Sequence, residues 1–211
     1  MHTMSLTHNL HISREGWPFL AAAVLLASAS WHFAGPVFAL LPAGLTVWLV
    51  QVFHDPTRAV PAVPLGVVSP VDGEVVTIGP AGCRPLVEGA TSILIRISAM
   101  GTYTARSPVE GKALDIPEDR GRPAHGYGHS ALWLQTDEGA DVVMYFDGYR
   151  FGLAPRAILR YGDRVGQGQR CAFLRLTKYV AVELPPDTRI VAHAGQRVVA
   201  GRDLLARLSH E

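Results

Sequence analysis

The chain has 211 residues, a formal net charge of +1, 48% hydrophobic residues and two cysteines. A charge balance this close to neutral, with no basic run that includes aromatic residues, argues against a nucleic-acid partner. Cys83 and Cys171 provide neither a disulfide framework nor a CxxC metal pair. Because the sequence also lacks an HExxH motif and a Cys/His cluster, we predict no metal site.

The first predicted element is apolar, because no Asp, Glu, Lys or Arg occurs from residue 16 to residue 54. Such a stretch is typical of a membrane segment. As a single helix it would be about 58 Å long, roughly twice the thickness of a hydrocarbon core. We therefore predict that it folds back at Gly35-Pro36 into a membrane helical hairpin with arms at 17–33 and 37–53, within an N-terminal region of residues 1–54.

The residues that flank the hairpin predict its orientation. Trp17, Trp31 and Trp48 are suited to anchor the arms at the membrane interface, and a hairpin puts Arg14 and Arg58 on one face. The positive-inside rule makes that face cytoplasmic. We therefore expect the rest of the chain on the cytoplasmic side of the inner membrane.

A signal peptide is the alternative interpretation of the same segment. Residues 19–26 are apolar and are followed by Ala27-Ser28-Ala29, a small-residue cleavage site. A second apolar segment follows at once, however, and this favours the hairpin.

A connector is predicted at residues 55–65, where Pro56, Pro61 and Pro64 prevent a helix. From residue 66 to residue 211, short β-prone runs alternate with turn residues, so we predict a mostly β domain. The polar, glycine-rich segment 115–129 is predicted to be a long surface loop. The predicted strands cover 74–78, 92–98, 131–135, 142–146, 171–176, 179–184 and 189–192.

Two short motifs each occur twice in this β region. SPVDG at 69–73 recurs as SPVEG at 107–111, and the Gly-x-x-Val-x-x-Gly spacing of 162–168 recurs at 195–201. Duplication of both motifs indicates two halves that use the same turns. We predict a pseudo-symmetric β sandwich or barrel that resembles a barrel-sandwich hybrid.

Six motifs occur in a fixed order along the chain: REGWPF at 14–19, VFHDPTR at 52–58, SPVDG at 69–73, RSPVEGK at 106–112, GLAPR at 152–156 and GDRVGQGQR at 162–170. This ordered set resembles the short bacterial form of phosphatidylserine decarboxylase, from about residue 12 to residue 205. The resemblance implies a membrane-bound β domain that removes CO2 from the serine headgroup of phosphatidylserine. It also implies a pyruvoyl cofactor, which the family makes by cleaving its own chain at a Gly-Ser pair.

The resemblance places the family's processing residues on four positions, of which only Asp72 matches. The Gly-Ser pair falls on Thr177-Lys178, and lysine has no β-leaving group to eliminate. The family's histidine falls on Tyr103, which is a poor general base at neutral pH. We therefore expect a degenerate member that does not process itself and carries no pyruvoyl group. Because processing residues must meet, Asp72 and Tyr103 are expected close to Lys178.

Three alternatives remain open at this site. Thr177 has a hydroxyl that would leave a 2-oxobutanoyl group, which would make the chain an active decarboxylase with an atypical processing site. Lys178 also occupies a position similar to the modified lysine of lipoyl and biotinyl carrier domains. Its amine would alternatively form a Schiff base with a carbonyl substrate.

Arginines outnumber lysines seventeen to two, and the guanidinium fork suits phosphate contacts near a lipid surface. Arg106, Arg156 and Arg175 are the candidate substrate-binding residues. The expected partner is membrane phospholipid, with a lipid-biosynthetic enzyme or a second copy of the chain as further candidates. The expected function is to bind anionic phospholipid headgroups or to assist a working lipid enzyme.

Overall fold

The computed structural model describes residues 14–54, 58–61, 63–81, 89–99, 101–115, 130–149 and 153–209. The chain divides into two compact units, one up to residue 57 and one from Arg58 onward. The predicted surface loop at 115–129 lies outside the described residues, except for Asp115.

The first unit is a helical hairpin. A short 3-10 turn at Arg14–Gly16 leads into α1, Trp17–Ala34, and α2 spans Pro36–Phe53. Gly35 separates the helices with a φ of 92°, a left-handed conformation that glycine adopts without steric cost. The rings of Phe19 and Phe53 stack with their centroids 6.0 Å apart. The predicted break at Gly35-Pro36 is confirmed.

The surface of the hairpin is apolar on nearly all sides. Phe33, Leu41 and Val37 are 87%, 80% and 73% exposed, which water disfavours for side chains of this size. α1 is long and apolar enough to cross a membrane, and the apolar part of α2, Pro36–Gln51, is shorter. The unit is compatible with membrane association.

The second unit is built from short antiparallel strands. An eight-stranded sheet has the order β13-β2-β3-β11-β7-β6-β5-β9, and two three-stranded sheets have the orders β1-β14-β12 and β4-β10-β8. The strands are β1 Gly66–Val68, β2 Gly73–Pro80, β3 Thr91–Ile97, β4 Thr104–Arg106, β5 Gly111–Leu114, β6 Ser130–Gln135, β7 Asp141–Asp147, β8 Arg156–Ala157, β9 Arg164–Val165, β10 Arg170–Phe173, β11 Tyr179–Leu184, β12 Arg189–Ile190, β13 Arg197–Val198 and β14 Leu204–Arg207.

The two halves of this β domain are related by an approximate two-fold axis. In the centre of the large sheet, Met144 of β7 faces Val182 of β11, and both are fully buried. Outward from this pair, β3 corresponds to β6, β2 to β5 and β13 to β9. The three-stranded sheets correspond as well, since Arg156 faces Phe173 in one and Arg189 faces Arg207 in the other. The predicted pseudo-symmetry is confirmed.

The duplicated motifs form this symmetry with matching hydrogen bonds. The Ser69 hydroxyl donates to the Val71 carbonyl at 2.8 Å, and the Ser107 hydroxyl donates to the Val109 carbonyl at 2.6 Å. The two motifs also bind each other. The N–H of Val68, before the first serine, donates to the Pro108 carbonyl at 2.9 Å, and the N–H of Arg106, before the second serine, donates to the Pro70 carbonyl at 2.8 Å. The SPV turns therefore lie beside the axis and join the two halves.

The last glycine of each Gly-x-x-Val-x-x-Gly motif binds the serine carbonyl of one SPV turn. The Gly201 N–H donates to the Ser69 carbonyl at 2.7 Å, and the Gly168 N–H donates to the Ser107 carbonyl at 2.8 Å. The valines of the same motifs pair with the glycine that ends each SPV turn. The spacing that recurs in the sequence thus corresponds to one recurring contact.

The predicted strand at 171–176 is wrong at its C-terminal end. β10 stops at Phe173, and Arg175 then adopts a φ of 51°, which a continuing strand does not allow. The chain turns here before it enters β11 at Tyr179. This turn, residues 174–178, carries the positions that the family resemblance marks for self-processing.

Candidate functional site

The candidate site lies where the two-fold symmetry of the β domain is broken. In one half a tight hairpin joins β6 to β7, closed by the Thr136 N–H and the Ala140 carbonyl at 2.9 Å. The equivalent hydrogen bond in the other half joins the Ile97 N–H to the Lys178 carbonyl at 2.8 Å. There no hairpin follows, because β3 continues toward β4 and β11 is entered from the 174–178 turn. The site occupies these open strand ends.

Asp72 is the most highly connected side chain at this site. Arg58 donates two hydrogen bonds to its carboxylate, at 2.5 and 2.8 Å. The backbone N–H groups of Ala200 and Thr102 donate two more, at 2.8 and 3.0 Å. A carboxylate offers about four acceptor positions, so all of them are occupied. Glu110, the symmetry equivalent of Asp72, is exposed instead.

The environment of Asp72 stabilises its charged form. Burial alone raises the pKa of a carboxyl group. Here the hydrogen bonds from Arg58, Ala200 and Thr102, together with the charge of Arg58, outweigh that effect and hold the pKa of Asp72 below its ordinary value. The residue is therefore an ionised carboxylate with its acceptor positions filled, which suits an anchoring role better than that of a proton acceptor.

Backbone hydrogen bonds connect Asp72 to the 174–178 turn from one side. The Ser98 N–H donates to the Asp72 carbonyl at 2.8 Å, and the neighbouring Ile97 N–H donates to the Lys178 carbonyl at 2.8 Å. Asp72 and Lys178 thus bind consecutive residues at the end of β3.

A second set of hydrogen bonds connects Asp72 to the 174–178 turn through Thr102 and Tyr103. Thr102 donates to the Asp72 carboxylate, and its neighbour Tyr103 accepts the Leu174 N–H at its carbonyl, at 2.8 Å. The Leu174 carbonyl accepts the Thr177 N–H at 3.1 Å. The structure therefore brings Asp72, Tyr103 and the Thr177-Lys178 pair into one hydrogen-bonded neighbourhood.

The side chains of the Thr177-Lys178 pair have opposite environments. Thr177 is 7% exposed, and its hydroxyl donates to the Leu174 carbonyl at 2.5 Å. Lys178 is exposed, and its amine has no partner among the described residues. Neither residue fits a pyruvoyl group, because lysine has no β-oxygen and the threonine hydroxyl is engaged in closing the turn.

Tyr103 and two of the three candidate arginines, Arg156 and Arg175, lie in or beside the same turn. The ring of Tyr103 packs against Phe173 with centroids 6.1 Å apart. Arg175 donates to the Ala154 carbonyl at 3.3 Å, and Arg156 is exposed on β8. Arg106 differs from these, because it is only 6% exposed and donates to the Gly168 carbonyl at 2.9 Å. Its contact with a headgroup stays a prediction.

A cleft of about 640 Å3 opens beside Asp72. Within it Arg96 pairs with Glu74 at 2.9 Å, and Arg58 pairs with Asp72. The side chain of Arg197 makes no hydrogen bond or ion pair with the part of the chain that the structure describes. The charged lining is therefore suited to an anionic group, and its charged members are Arg58, Asp72, Glu74, Arg96 and Arg197.

Arg58 is the site residue that the sequence reasoning missed. Its position after the apolar segment indicates only a membrane flank, and its partner Asp72 lies 14 residues away. The backbone donors at Thr102 and Ala200 carry no sequence signal either, since any residue except proline supplies an N–H. The HDPTR motif that ends at Arg58 is the one feature that marks it.

These features define a class of protein in which an apolar helical hairpin, compatible with membrane association, precedes a pseudo-symmetric antiparallel β domain. No family model matches the chain. It is 32% identical to the phosphatidylserine decarboxylase proenzyme of Nitrosomonas eutropha, over 96% of this chain and 99% of the relative. It is 33% identical to the proenzyme of Aromatoleum aromaticum, over 93% and 95%. The chain belongs to the phosphatidylserine decarboxylase family.

A solved structure that the chain resembles is the glucose permease IIA from Mycoplasma capricolum, with a TM-score of 0.49 and 16% sequence identity. The match covers 67% of this chain and 94% of that one. The likeness is too weak to define the fold.

Proposed function

We propose that the chain is a membrane-anchored, degenerate member of its family that does not process itself and acts in phospholipid metabolism by binding anionic phospholipid. The observation that carries this proposal is the state of the Thr177-Lys178 pair. The family reaction needs a β-oxygen or sulfur that attacks the preceding carbonyl and is then eliminated. Lys178 has neither, and the Thr177 hydroxyl is directed to the Leu174 carbonyl.

Two further features support the absence of processing. Tyr103 stands at the position of the family's base, and a tyrosine hydroxyl stays protonated near neutral pH. If Thr177 were the nucleophile, the residue before it would be Leu176, whereas the family's serine follows a flexible glycine, so the backbone here is less free to bend toward attack. Each of these requirements applies to the same transition state, and their losses therefore combine.

Lipid binding is supported by the charge of the site. Arg175 and Lys178 belong to the 174–178 turn, and Arg156 lies on the neighbouring strand β8. A guanidinium group can donate two parallel hydrogen bonds to the oxygens of one phosphate. With no cofactor of its own, the chain would present or hold phospholipid for a lipid-biosynthetic enzyme, or for a second copy of itself. We place the β domain on the cytoplasmic side of the inner membrane, because Arg14 and Arg58 flank the hairpin on one side.

Intact mass of the chain purified from membranes tests the proposal. We expect one species at 22.8 kDa and no CO2 release from phosphatidylserine. A fragment that begins at residue 177 or 178 with a keto acyl terminus would show an active decarboxylase. An added lipoyl or biotinyl mass on Lys178 would show a carrier domain.

The matched control restores the family's residues. A variant with Tyr103→His, Thr177→Gly and Lys178→Ser is expected to split into two fragments on the same scaffold. Phospholipid that copurifies with the unaltered chain, identified by mass spectrometry, tests the binding part. We expect anionic phospholipids to be enriched relative to the membrane extract.

A further inference from the structure

Three large apolar side chains are exposed near the 174–178 turn. Leu153, Ile158 and Leu176 are 43%, 42% and 46% exposed. Single exposed apolar residues are ordinary, whereas several together mark an interaction surface. These three come from two stretches of chain, one around β8 and one after β10.

Hydrogen bonds hold the two stretches side by side. Arg175 donates to the Ala154 carbonyl at 3.3 Å, so Leu153 and Leu176 each lie one residue from a bonded pair. At the other end the Ile158 N–H donates to the Cys171 carbonyl at 2.8 Å. The three apolar side chains therefore come from two adjacent stretches of chain at the edge of the β4-β10-β8 sheet.

Cations are interspersed with these apolar residues. Arg156 and Lys178 are exposed, and Arg175 is partly exposed. One carboxylate close to Lys178 along the sheet is that of Asp147, which accepts the Gly148 N–H at 2.6 Å. A surface with apolar tips and an excess of positive charge is complementary to the headgroup region of an anionic bilayer.

We propose that this surface docks the β domain onto an anionic phospholipid bilayer. The proposal deepens the lipid binding proposed above and rests on it, and it names the part of the domain that meets the lipid. Arg58 follows Phe53 by five residues, which span at most about 18 Å when extended, so an inserted hairpin keeps the domain within reach of the membrane. We call this surface the turn patch, and its members are Leu153, Arg156, Ile158, Arg175, Leu176 and Lys178.

The symmetry of the domain provides matched controls on the other three-stranded sheet. Arg189 corresponds to Arg156 and is exposed. Val191 corresponds to Ile158, since its N–H donates to the Leu205 carbonyl at 2.9 Å, and it is 49% exposed. Both controls resemble turn-patch residues in type and exposure.

The test uses the full chain in vesicles with an environment-sensitive fluorophore on a single introduced thiol. The background carries Cys83→Ser and keeps Cys171, which is fully buried. Labels at Leu176→Cys and Val191→Cys are compared in phosphatidylcholine vesicles with and without phosphatidylglycerol. We expect the Leu176 label to shift to the blue and to be quenched by headgroup nitroxides when phosphatidylglycerol is present. The Val191 label should not respond.

Charge substitutions test the electrostatic part. Arg156→Gln is expected to weaken docking about five-fold, equivalent to roughly 1 kcal/mol per basic residue near an anionic surface, while Arg189→Gln leaves it unchanged. Equal responses of the two labels, or no response at Leu176, overturn the proposal. Energy transfer between Leu176 labels that is independent of phosphatidylglycerol also overturns it, because a second copy then covers the patch. None of these outcomes alters the intact mass, so failure here is distinct from failure of the non-processing proposal.

Discussion

Asp72 joins three distant parts of the β domain through one carboxylate. Its partners are Arg58, Thr102 and Ala200, and the Asp72 and Arg58 side chains are only 15% and 14% exposed. Asp72→Asn leaves the mostly buried guanidinium of Arg58 without its counter-charge. It also replaces one acceptor oxygen by an NH2 group, which cannot accept the hydrogen bonds that are donated there. We expect the free energy of unfolding to fall by about 3 kcal/mol, measured by chemical denaturation of the full chain in detergent.

Glu110→Gln is the control for this prediction, because Glu110 occupies the same position in the other half and is exposed. Its cost is expected to stay within about 0.5 kcal/mol. Equal costs for the two variants would show that the hydrogen bonds to Asp72 contribute little.

The same carboxylate predicts a dependence on pH. Because the folded pKa of Asp72 lies below its ordinary value of 3.8, its contribution to stability is present above that value and is lost as the pH falls through the folded pKa. The difference in unfolding free energy between the unaltered chain and Asp72→Asn should therefore be constant near neutrality and shrink below pH 3.8. A difference that stays level into strong acid contradicts the assignment.

At the scale of elements, two equivalent glycines allow the strands after the SPV turns to approach their neighbours. A Cβ on Gly73 would lie 2.2 Å from the Arg96 carbonyl oxygen, and one on Gly111 would lie 2.2 Å from the Gln135 carbonyl oxygen. Neither backbone atom is free to move without breaking a strand pair. We expect Gly73→Ala and Gly111→Ala each to cost about 2 kcal/mol or more in thermal or chemical unfolding.

Gly79→Ala in the same strand, β2, is the control, because nothing lies within 4 Å of its added Cβ. Alanine in that open position should be neutral or slightly stabilising. If all three alanine variants behave alike, close approach is not the reason for these glycines.

The predicted strands that the structure confirms are those with runs of β-branched or apolar residues, such as β3 and β11. The strands that the sequence reasoning missed are short. β8, β9 and β13 have two residues each, β1 and β4 have three, and β5 and β14 have four, which is at or below the shortest run in which an alternating pattern can be recognised. Motif duplication nevertheless predicted the symmetry, because the repeated turns are where the two halves bind each other.

The sequence predicted only those parts of the candidate site whose chemistry depends on residue type. Lys178 and Tyr103 could be identified because they stand at positions of the family's processing residues with side chains that the family reaction cannot use. The hydrogen bonds that connect Asp72 with the 174–178 turn depend instead on backbone groups of Ser98, Thr102 and Leu174, which come close together only in the folded sheets. Arg58 belongs with these, because its role follows from a partner that the fold brings to it.

At the scale of the whole molecule, the two units have opposite surfaces. The hairpin exposes Leu25 and Leu41 at 70% and 80%, whereas the β domain has one core of buried aliphatic side chains that includes Ile93, Leu134 and Leu184. A single chain with both kinds of surface is suited to a boundary between lipid and water. Substitutions in the hairpin should therefore change membrane retention without changing the stability of the β domain.

The last prediction concerns retention in the membrane. The full chain should remain in the membrane pellet after carbonate extraction, since two apolar helices bury more hydrocarbon than an interfacial segment can. Leu25→Arg places a charge near the middle of α1, where it costs about 3 kcal/mol, and should release a measurable fraction. Val76→Arg changes an apolar residue of the β domain that is 38% exposed and should leave retention unchanged. Recovery of the unaltered chain in the soluble fraction, with an amino terminus at Ser30 or Trp31, would instead establish a cleaved signal peptide.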